Sequence, residues 1–175
     1  MLDAAVRLIS GFLQHPEHGV NEMASTLPRQ NLGGAPDDAA PPLVSIFNDV
    51  DHTSVAKDLT APKVPALLVW SDSSADVTMQ GYSIAKDIML AIGFVTSDGV
   101  DDLVTNRACG YILRGGLLTL KRYNSQDKSK GYRELNGIRI LEIKSVNEQR
   151  VTAAVGRQKM WGFLAVRVIA VETYS

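Results

Sequence analysis

A long run of alternating apolar residues, Tyr82 to Thr96, limits how this chain can fold more than any other segment. Its alternate positions are apolar, with Lys86 as the one interruption: Tyr82, Ile84, Ile88, Leu90, Ile92 and Phe94. A period of two places these side chains on one face of a β-strand. At about 3.3 Å per residue such a strand spans roughly 50 Å, whereas most strands are about 3 to 10 residues long. We therefore expect either a bulge at Gly93 or one end that extends beyond the core.

Two helices are indicated, one before and one after this strand. Residues 2–13 have apolar side chains at three-and-four spacing, which predicts a helix, and Asn21 is placed to cap one further helical turn. The second helix is predicted over 101–123, with an expected apolar side of Val104, Ala108, Tyr111, Ile112 and Leu118. Gly115 and Gly116 lie within it, at a cost of about 1 kcal/mol each relative to alanine. These glycines indicate a kink or a close approach to a strand.

The remaining β-branched and aromatic runs predict the other strands, at 43–47, 64–71, 138–146, 151–155 and 160–174. Trp161 and Phe163 are interpreted as core residues of the last strand. The order of elements favours an α+β fold, in which a mixed or antiparallel sheet has an N-terminal helix and one long helix packed on one face. At 175 residues the chain is expected to form a single domain, 1–175. Extended loops are predicted at about 28–42 and 124–136, the first as either an arm over a partner or a surface loop.

Residue types that carry chemistry occur in patterns that we interpret as structural. The sequence has no phosphate loop, no strand-linked GxGxxG, no HExxH and no paired CxxC. His15 and His18 are interpreted as helix-end residues rather than metal ligands, and 49–52 as a turn after a strand. Residues 71–74 are interpreted as a polar hairpin loop, and Cys109 as a small packed residue of the long helix. We therefore expect no enzymatic activity and no cofactor.

Charge is divided along the chain. Residues 1–105 carry 5 basic and 14 acidic side chains, a net charge of −9, and residues 106–175 carry 13 basic and 5 acidic ones, a net charge of +8. Either the halves neutralise each other within the fold, or the acidic side of one subunit meets the basic side of a neighbour. Nucleic acid is a third possible partner for a basic half, although these basic residues lack an aromatic stacking pattern. No apolar run is long enough to span a membrane, so we expect no membrane partner.

Part of the basic charge recurs with helical spacing. Arg107, Arg114 and Lys121 are seven residues apart, on nearly one face of the long helix, and Arg122 is adjacent. These four residues are either a solvated helix face or an interaction stripe, since arginine is favoured where carboxylates must be held in a fixed geometry.

In the order and pattern of its segments the chain resembles the tail terminator or tail completion proteins of long-tailed phages, of the lambda minor tail protein U type. The N-terminal part of the resemblance is an amphipathic helix, LDAAVRLISGFLQ, followed by GVNEMASTLP and a proline-rich loop. The middle is a strand entered through a proline, KVPALLVWSD, and a long strand leading into a long helix, IMLAIGFVTSDGVDDLVTNRACGYILRGGLLTL. The end is the apolar strand MWGFLAVRVIAVETYS. The resemblance covers most of the chain, and the two predicted loops are longer than a compact terminator has.

The resemblance implies a structural virion subunit that forms a ring, commonly of six copies, at the head-proximal end of the tail. Such a ring terminates the tail tube and provides the head-docking surface, so the implied partners are further copies of the chain, the tail tube protein and the head–tail connector or neck proteins. DNA would pass through the lumen without sequence-specific binding. The implied location is the virion, with assembly in the host cytoplasm. The alternatives are another phage structural subunit, such as a head-completion, neck or tube protein, and a small-ligand-binding or enzymatic α+β domain with a deep polar pocket.

Overall fold

A computed structural model describes the following residues of the chain: 1–28, 43–48, 65–80, 82–97, 102–125, 131–155 and 158–173. The predicted loop at 28–42 lies outside these residues except for Pro28, and the predicted turn at 49–52 lies outside them entirely. The described helices are α1 Leu2–Leu13, α2 Val20–Ser25 and α3 Asp102–Tyr123. The described strands are β1 Ser45–Asn48, β2 Ala66–Gln80, β3 Ser83–Ser97, β4 Glu134–Leu135, β5 Ile138–Gln149, β6 Ala153–Val155 and β7 Gln158–Thr173.

The strands form one mixed sheet of seven strands in the order β1-β2-β3-β7-β5-β4, and β6 also pairs with β7. The β1–β2 pair is parallel and all other pairs are antiparallel. The sheet is strongly curled. Its concave face holds the core, so the predicted α+β class, with the N-terminal helix and the long helix on one face of a mixed sheet, is confirmed.

Helix α1 lies inside the curl of the sheet. It contacts β1 and β2 toward one edge of the sheet and β4 and β5 at the other edge, and it also contacts α3. Eight side chains of α1 are buried, and they surround most of the helix: Ala4, Ala5, Val6, Leu8, Ile9, Ser10, Phe12 and Leu13. A helix enclosed by a sheet needs apolar residues around most of its circumference, which explains why the apolar stripe of α1 is so wide.

Helix α3 covers the concave face over β5, β7 and β3. Its fully buried apolar side chains are Cys109, Ile112, Leu113, Leu120 and Tyr123. The predicted apolar side is correct for Ile112, which is buried, and for Ala108, which packs against the core, whereas Tyr111 and Leu118 are only half-buried. The side chain of Val104 lies outside the described part. Apolar residues occur on several sides of α3, and tertiary packing rather than periodicity decides which of them face the sheet.

The two glycines of α3 permit close contacts with different neighbours. A Cβ atom at Gly115 would lie 2.9 Å from Cβ of Ala24 and 2.9 Å from the carbonyl oxygen of Val20, both in α2. A Cβ atom at Gly116 would lie 3.1 Å from Cδ1 of Leu164 in β7. The predicted approach to a strand is thus made by Gly116, and Gly115 instead allows two helices to meet.

The long alternating segment forms β3, which pairs with β2 on one side and β7 on the other. A bulge occurs next to Gly93, but the extra residue is Trp161 of β7, because Phe94 pairs with Gly162 and Val95 with Met160. Gly93 leaves room for large side chains, since a Cβ atom there would lie 2.9 Å from the sulfur of Met160.

The polar run 71–74 was wrongly predicted as a loop, because it lies inside β2. Two irregularities in the β2–β3 pairing, between Ser71 and Ser73 and between Ser74 and Val77, accommodate it. The continuous β3 strand provides backbone partners for these residues in spite of their low strand propensity.

The predicted loop at 124–136 contains a short hairpin. Glu134 and Leu135 pair with Arg139 and Ile138, and the turn between them has positive φ angles of 53° at Asn136 and 76° at Gly137. Asn-Gly is the preferred sequence for such a type I′ turn, so this part of the loop prediction was wrong. Residues 126–130 lie outside the described part.

Asparagine side chains join two loop segments to the fold in the same way. The amide of Asn21 accepts the N–H of Val44 at 2.9 Å and donates to its carbonyl at 3.1 Å. The amide of Asn124 makes the same pair of bonds with Ile143, both at 2.8 Å. The predicted capping role of Asn21 was wrong, because α2 begins at Val20 with Gly19 as its N-cap.

Candidate interaction surfaces

The basic residues predicted from helical spacing lie on the side of α3 that faces away from the sheet. Arg114, Lys121 and Arg122 are exposed, whereas Arg107 is half-buried and already interacts within the chain. Arg114, Lys121 and Arg122 make no ion pair with any side chain that the structure describes. We call these three residues the basic stripe. A group of exposed cations favours an acidic partner surface, because opposite potentials steer association.

The order of the strands separates the two charged halves of the chain in space. Strands β1, β2 and β3 are neighbours at one side of the sheet, and β7, β5 and β4 form the other side, which α3 covers. The described residues of 43–97 carry one basic and three acidic side chains, a net charge of −2, and those of 102–173 carry ten basic and five acidic ones, a net charge of +5. Within the sheet, the acidic side chains of β2 therefore lie toward one edge, and the net positive charge of α3 lies over β5, β7 and β3.

The ion pair between Asp87 in β3 and Arg167 in β7 joins the two halves where they meet. Arg167 donates from Nε to both carboxylate oxygens of Asp87 at 2.9 Å and from Nη2 to Oδ2 at 2.5 Å. These hydrogen bonds hold the pKa of Asp87 below its usual value, and the charges of Arg167 and Lys144 act in the same direction. Local neutralisation thus occurs in the middle of the sheet, while the excess of positive charge remains on α3.

The convex face of the sheet carries apolar side chains as well. In an antiparallel pair, directly opposite residues point to the same face, and the register pairs Trp70 with Ala91 and Ala91 with Ala165. The same reasoning assigns the following eight residues to this surface, which we call the convex face: Leu68, Trp70, Met89, Ala91, Phe163, Ala165, Ile169 and Val171. None of them belongs to the core cluster beneath the helices.

Outward positions of this kind are usually polar when one side of an antiparallel sheet faces water. Ala91 is buried and the other seven residues of the convex face are half-buried.

The prediction of a core position is confirmed for Trp161, which is 3% exposed and donates from its indole nitrogen to Oγ1 of Thr96 at 2.8 Å. Phe163 instead lies on the convex face. This surface was not predicted from the sequence, although an almost unbroken apolar run in both β3 and β7 indicates a strand with two apolar faces.

Cys109 and His15 have structural roles. Cys109 is fully buried, and burial raises the pKa of its thiol to about 11, which confirms it as a packed residue. Nδ1 of His15 accepts the N–H groups of Glu17 at 3.1 Å and His18 at 3.2 Å, so this imidazole closes the turn after α1. Within the described ranges, no three His, Cys, Asp or Glu side chains are placed to hold a metal ion. No described helix is long and apolar enough to cross a membrane.

Arg133 is a structural cation that the sequence analysis missed. Its side chain is 4% exposed and donates to the carbonyl oxygen of Tyr123, at the end of α3, and to that of Leu141 at 3.4 Å. The guanidinium carbon lies 4.6 Å from the ring centre of Tyr123. Because Leu141 is the extra residue of a bulge in β5, Arg133 satisfies carbonyl groups that a helix end and a bulge leave without backbone partners.

Comparison with known proteins assigns no family, since no family model matches the chain and no curated protein matches it significantly. The two surfaces therefore carry the functional argument. The basic stripe and the convex face lie on opposite sides of a two-layer molecule.

Proposed function

We propose that this chain is a structural subunit that assembles with copies of itself into a closed ring at the head-proximal end of a phage tail. In this role the ring ends the tail tube and offers the surface on which the head docks. The proposed partners are neighbouring copies, the tail tube protein and the connector or neck proteins, with DNA passing through the lumen. The activity is stoichiometric assembly without turnover.

The observation that carries this proposal is the separation of charge across the sheet. A closed ring needs a heterologous contact, in which one surface of a subunit meets a different surface of the next. Strand β2 carries Asp72 and Asp76 toward one edge of the sheet, and α3, which carries four basic side chains and one acidic one, lies over β5, β7 and β3. Head-to-tail contact brings the acidic edge of one copy to the basic edge of its neighbour, which supports ring formation over face-to-face dimers of one surface.

The location in a phage tail is tested by genetics in the genome that carries the gene. A stop codon early in the reading frame is expected to yield filled heads and separate tails that do not join. Adding the purified chain to that lysate is expected to restore joined particles, and adding a heat-unfolded sample is the control. Joined, infectious particles formed without the chain would contradict the proposal.

A further inference from the structure

The turn between α1 and α2 is closed by the imidazole ring of His15. Its Nδ1 accepts the N–H groups of Glu17 at 3.1 Å and of His18 at 3.2 Å. A backbone N–H can only donate, so Nδ1 carries no hydrogen and the neutral ring has its hydrogen on Nε2. The carbonyl of His15 accepts the N–H of Gly19 at 2.7 Å, and Gly19 is the N-cap of α2. One residue therefore links the turn to the start of α2.

A proton on Nδ1 of His15 would remove this acceptor. An imidazolium ring has a hydrogen on both nitrogens and accepts no hydrogen bond, so the two backbone N–H groups would face a third donor. Histidine is the side chain whose charge ordinarily changes between about pH 5 and pH 8. The protonated ring and the closed turn are therefore incompatible, and the ring has to leave the turn when it gains a proton.

The groups around His15 do not remove this incompatibility. The rings of His15 and His18 are stacked, with 4.9 Å between their centres and 16° between their planes, so charges on both rings would repel each other. Nδ1 of His18 is buried and has no hydrogen-bond partner in the described part of the chain, so a proton there would be unsatisfied as well.

Two further titratable groups contact this histidine pair within the described residues. A carboxylate oxygen of Glu17 lies 3.9 Å from Nε2 of His18, but the Glu17 side chain is 79% exposed, and water screens its attraction for a charged ring. The ring of Tyr132 lies edge-on to that of His15, with 5.1 Å between the ring centres. Neither group offers an acceptor in place of the one that protonation removes from the turn.

Helix α2 connects the turn to two other elements. The carbonyl of Val20 and the Cβ and N atoms of Ala24 lie where α3 approaches at Gly115, and the amide of Asn21 makes two hydrogen bonds with Val44, just before β1. Because α2 has only six residues, it has little stability of its own. Opening the turn before it therefore loosens its contacts with α3 and with the segment that leads into β1.

We infer that His15 is a pH-sensitive switch for the position of α2. Without a proton on Nδ1, the ring closes the turn and holds α2 against α3 and Val44. With the proton, the ring releases the turn and α2 loosens, while the sheet stays folded. The switch acts within one subunit, so it is independent of the proposed assembly.

The test is hydrogen exchange of the full-length chain, measured by NMR at about pH 7.5 and about pH 5, on either side of the ordinary titration of histidine. Protection factors are corrected for the intrinsic pH dependence of exchange. Protection of the Glu17, His18 and Met23 amides should fall about tenfold at the lower pH, as expected for two lost hydrogen bonds. Met23 reports α2, because its N–H donates to the carbonyl of Gly19 at 3.0 Å. Amides of β3 should keep their protection.

His15→Asn separates the acceptor from the titration. An asparagine oxygen accepts N–H groups of the residues that follow it in a turn and takes up no proton in this pH range, so this variant should stay protected at both pH values. His52→Asn is the matched control, because it replaces a histidine elsewhere in the chain, and it should lose protection like the wild type.

The nitrogen chemical shifts of the imidazole rings give a measurement on the wild type alone. At about pH 7.5 the neutral ring of His15 should carry its hydrogen on Nε2. A hydrogen on Nδ1 would overturn the inference, as would equal protection at both pH values or a wild-type loss in His15→Asn. Loss of the response in His52→Asn would assign it to another histidine. Loss of protection throughout β3 would show global unfolding in place of a local switch.

Discussion

Replacing Gly115 by alanine tests how closely α2 and α3 approach each other. The added Cβ atom would lie 2.9 Å from three atoms of α2, namely Cβ and N of Ala24 and the carbonyl oxygen of Val20. Two of these are backbone atoms, so no side-chain rotation relieves the clash. Either α2 moves away from α3 or α3 shifts on the sheet, and both changes loosen packing around Val20 and Ala24, which are fully or almost fully buried.

The size of the effect follows from two opposing contributions. Alanine is favoured over glycine inside a helix by about 1 kcal/mol, and overpacking of a close contact costs about 1 to 3 kcal/mol. Because the obstructing atoms are backbone, we place the clash at the upper end of that range. The expected net loss is about 1 to 2 kcal/mol of unfolding free energy, which lowers the Tm of a chain of this length by roughly 2 to 8 °C.

Gly110→Ala in the same helix is the matched control. Its Cβ atom would meet Nη2 of Arg150 at 2.9 Å, which is the end of a flexible, exposed side chain that can move away. Gly110→Ala should therefore keep most of the helix-propensity gain and be neutral or up to about 1 kcal/mol more stable. Urea unfolding followed by circular dichroism measures both variants. If Gly115→Ala is as stable as Gly110→Ala, the close contact between α2 and α3 does not exist.

Three further predictions address charge and reactivity. Charge reversal of Arg114 and Lys121 together should weaken assembly at low salt. The difference from the wild type should shrink at high salt, because exposed charges are screened. If the variant and the wild type sediment equally at low salt, the basic stripe is only a solvated surface. Asp87 has a lowered pKa in the folded state, so its contribution to stability is present above its ordinary pKa and is lost as pH falls below about 4. In Asp87→Asn, the loss of unfolding free energy between pH 5 and pH 2, measured by urea unfolding, should be smaller than in the wild type. An equal loss in both proteins would contradict the ion pair. Cys109 should resist a thiol reagent at pH 8 until the chain unfolds, and rapid labelling of the folded protein would contradict its burial.

Periodicity predicted the elements of this fold better than it predicted their faces. The alternation in 82–96 identified β3 to within one residue at each end, and the spacing of apolar residues in 2–13 gave the bounds of α1. The buried side of α3 was predicted only in part, through Ile112 and Ala108, because Leu118 was chosen whereas Leu113 and Leu120 are the buried leucines. Only the position of the curled sheet decides between them, and a single sequence does not contain that position.

The polar run 71–74 and the convex face show two further limits. The serines and aspartate of 71–74 have turn propensity, but pairing with β3 outweighs local preference. The unbroken apolar run 88–95 is the sequence signal of the convex face, because the residues between the core-facing positions of β3 are also apolar or glycine. Arg114, Lys121 and Arg122 are exposed on α3 and Arg107 is half-buried, and a role of these residues in an interface stays a prediction.

Imaging the purified chain by electron microscopy, with native mass spectrometry of the same sample, tests the central claim most directly. The proposed function predicts a closed ring with one copy number, commonly six in the tail terminators that the chain resembles, and a central channel wide enough for duplex DNA. A wild-type chain that stays monomeric at every concentration, or that forms open filaments without a fixed copy number, would contradict the claim that this protein is a ring-forming subunit.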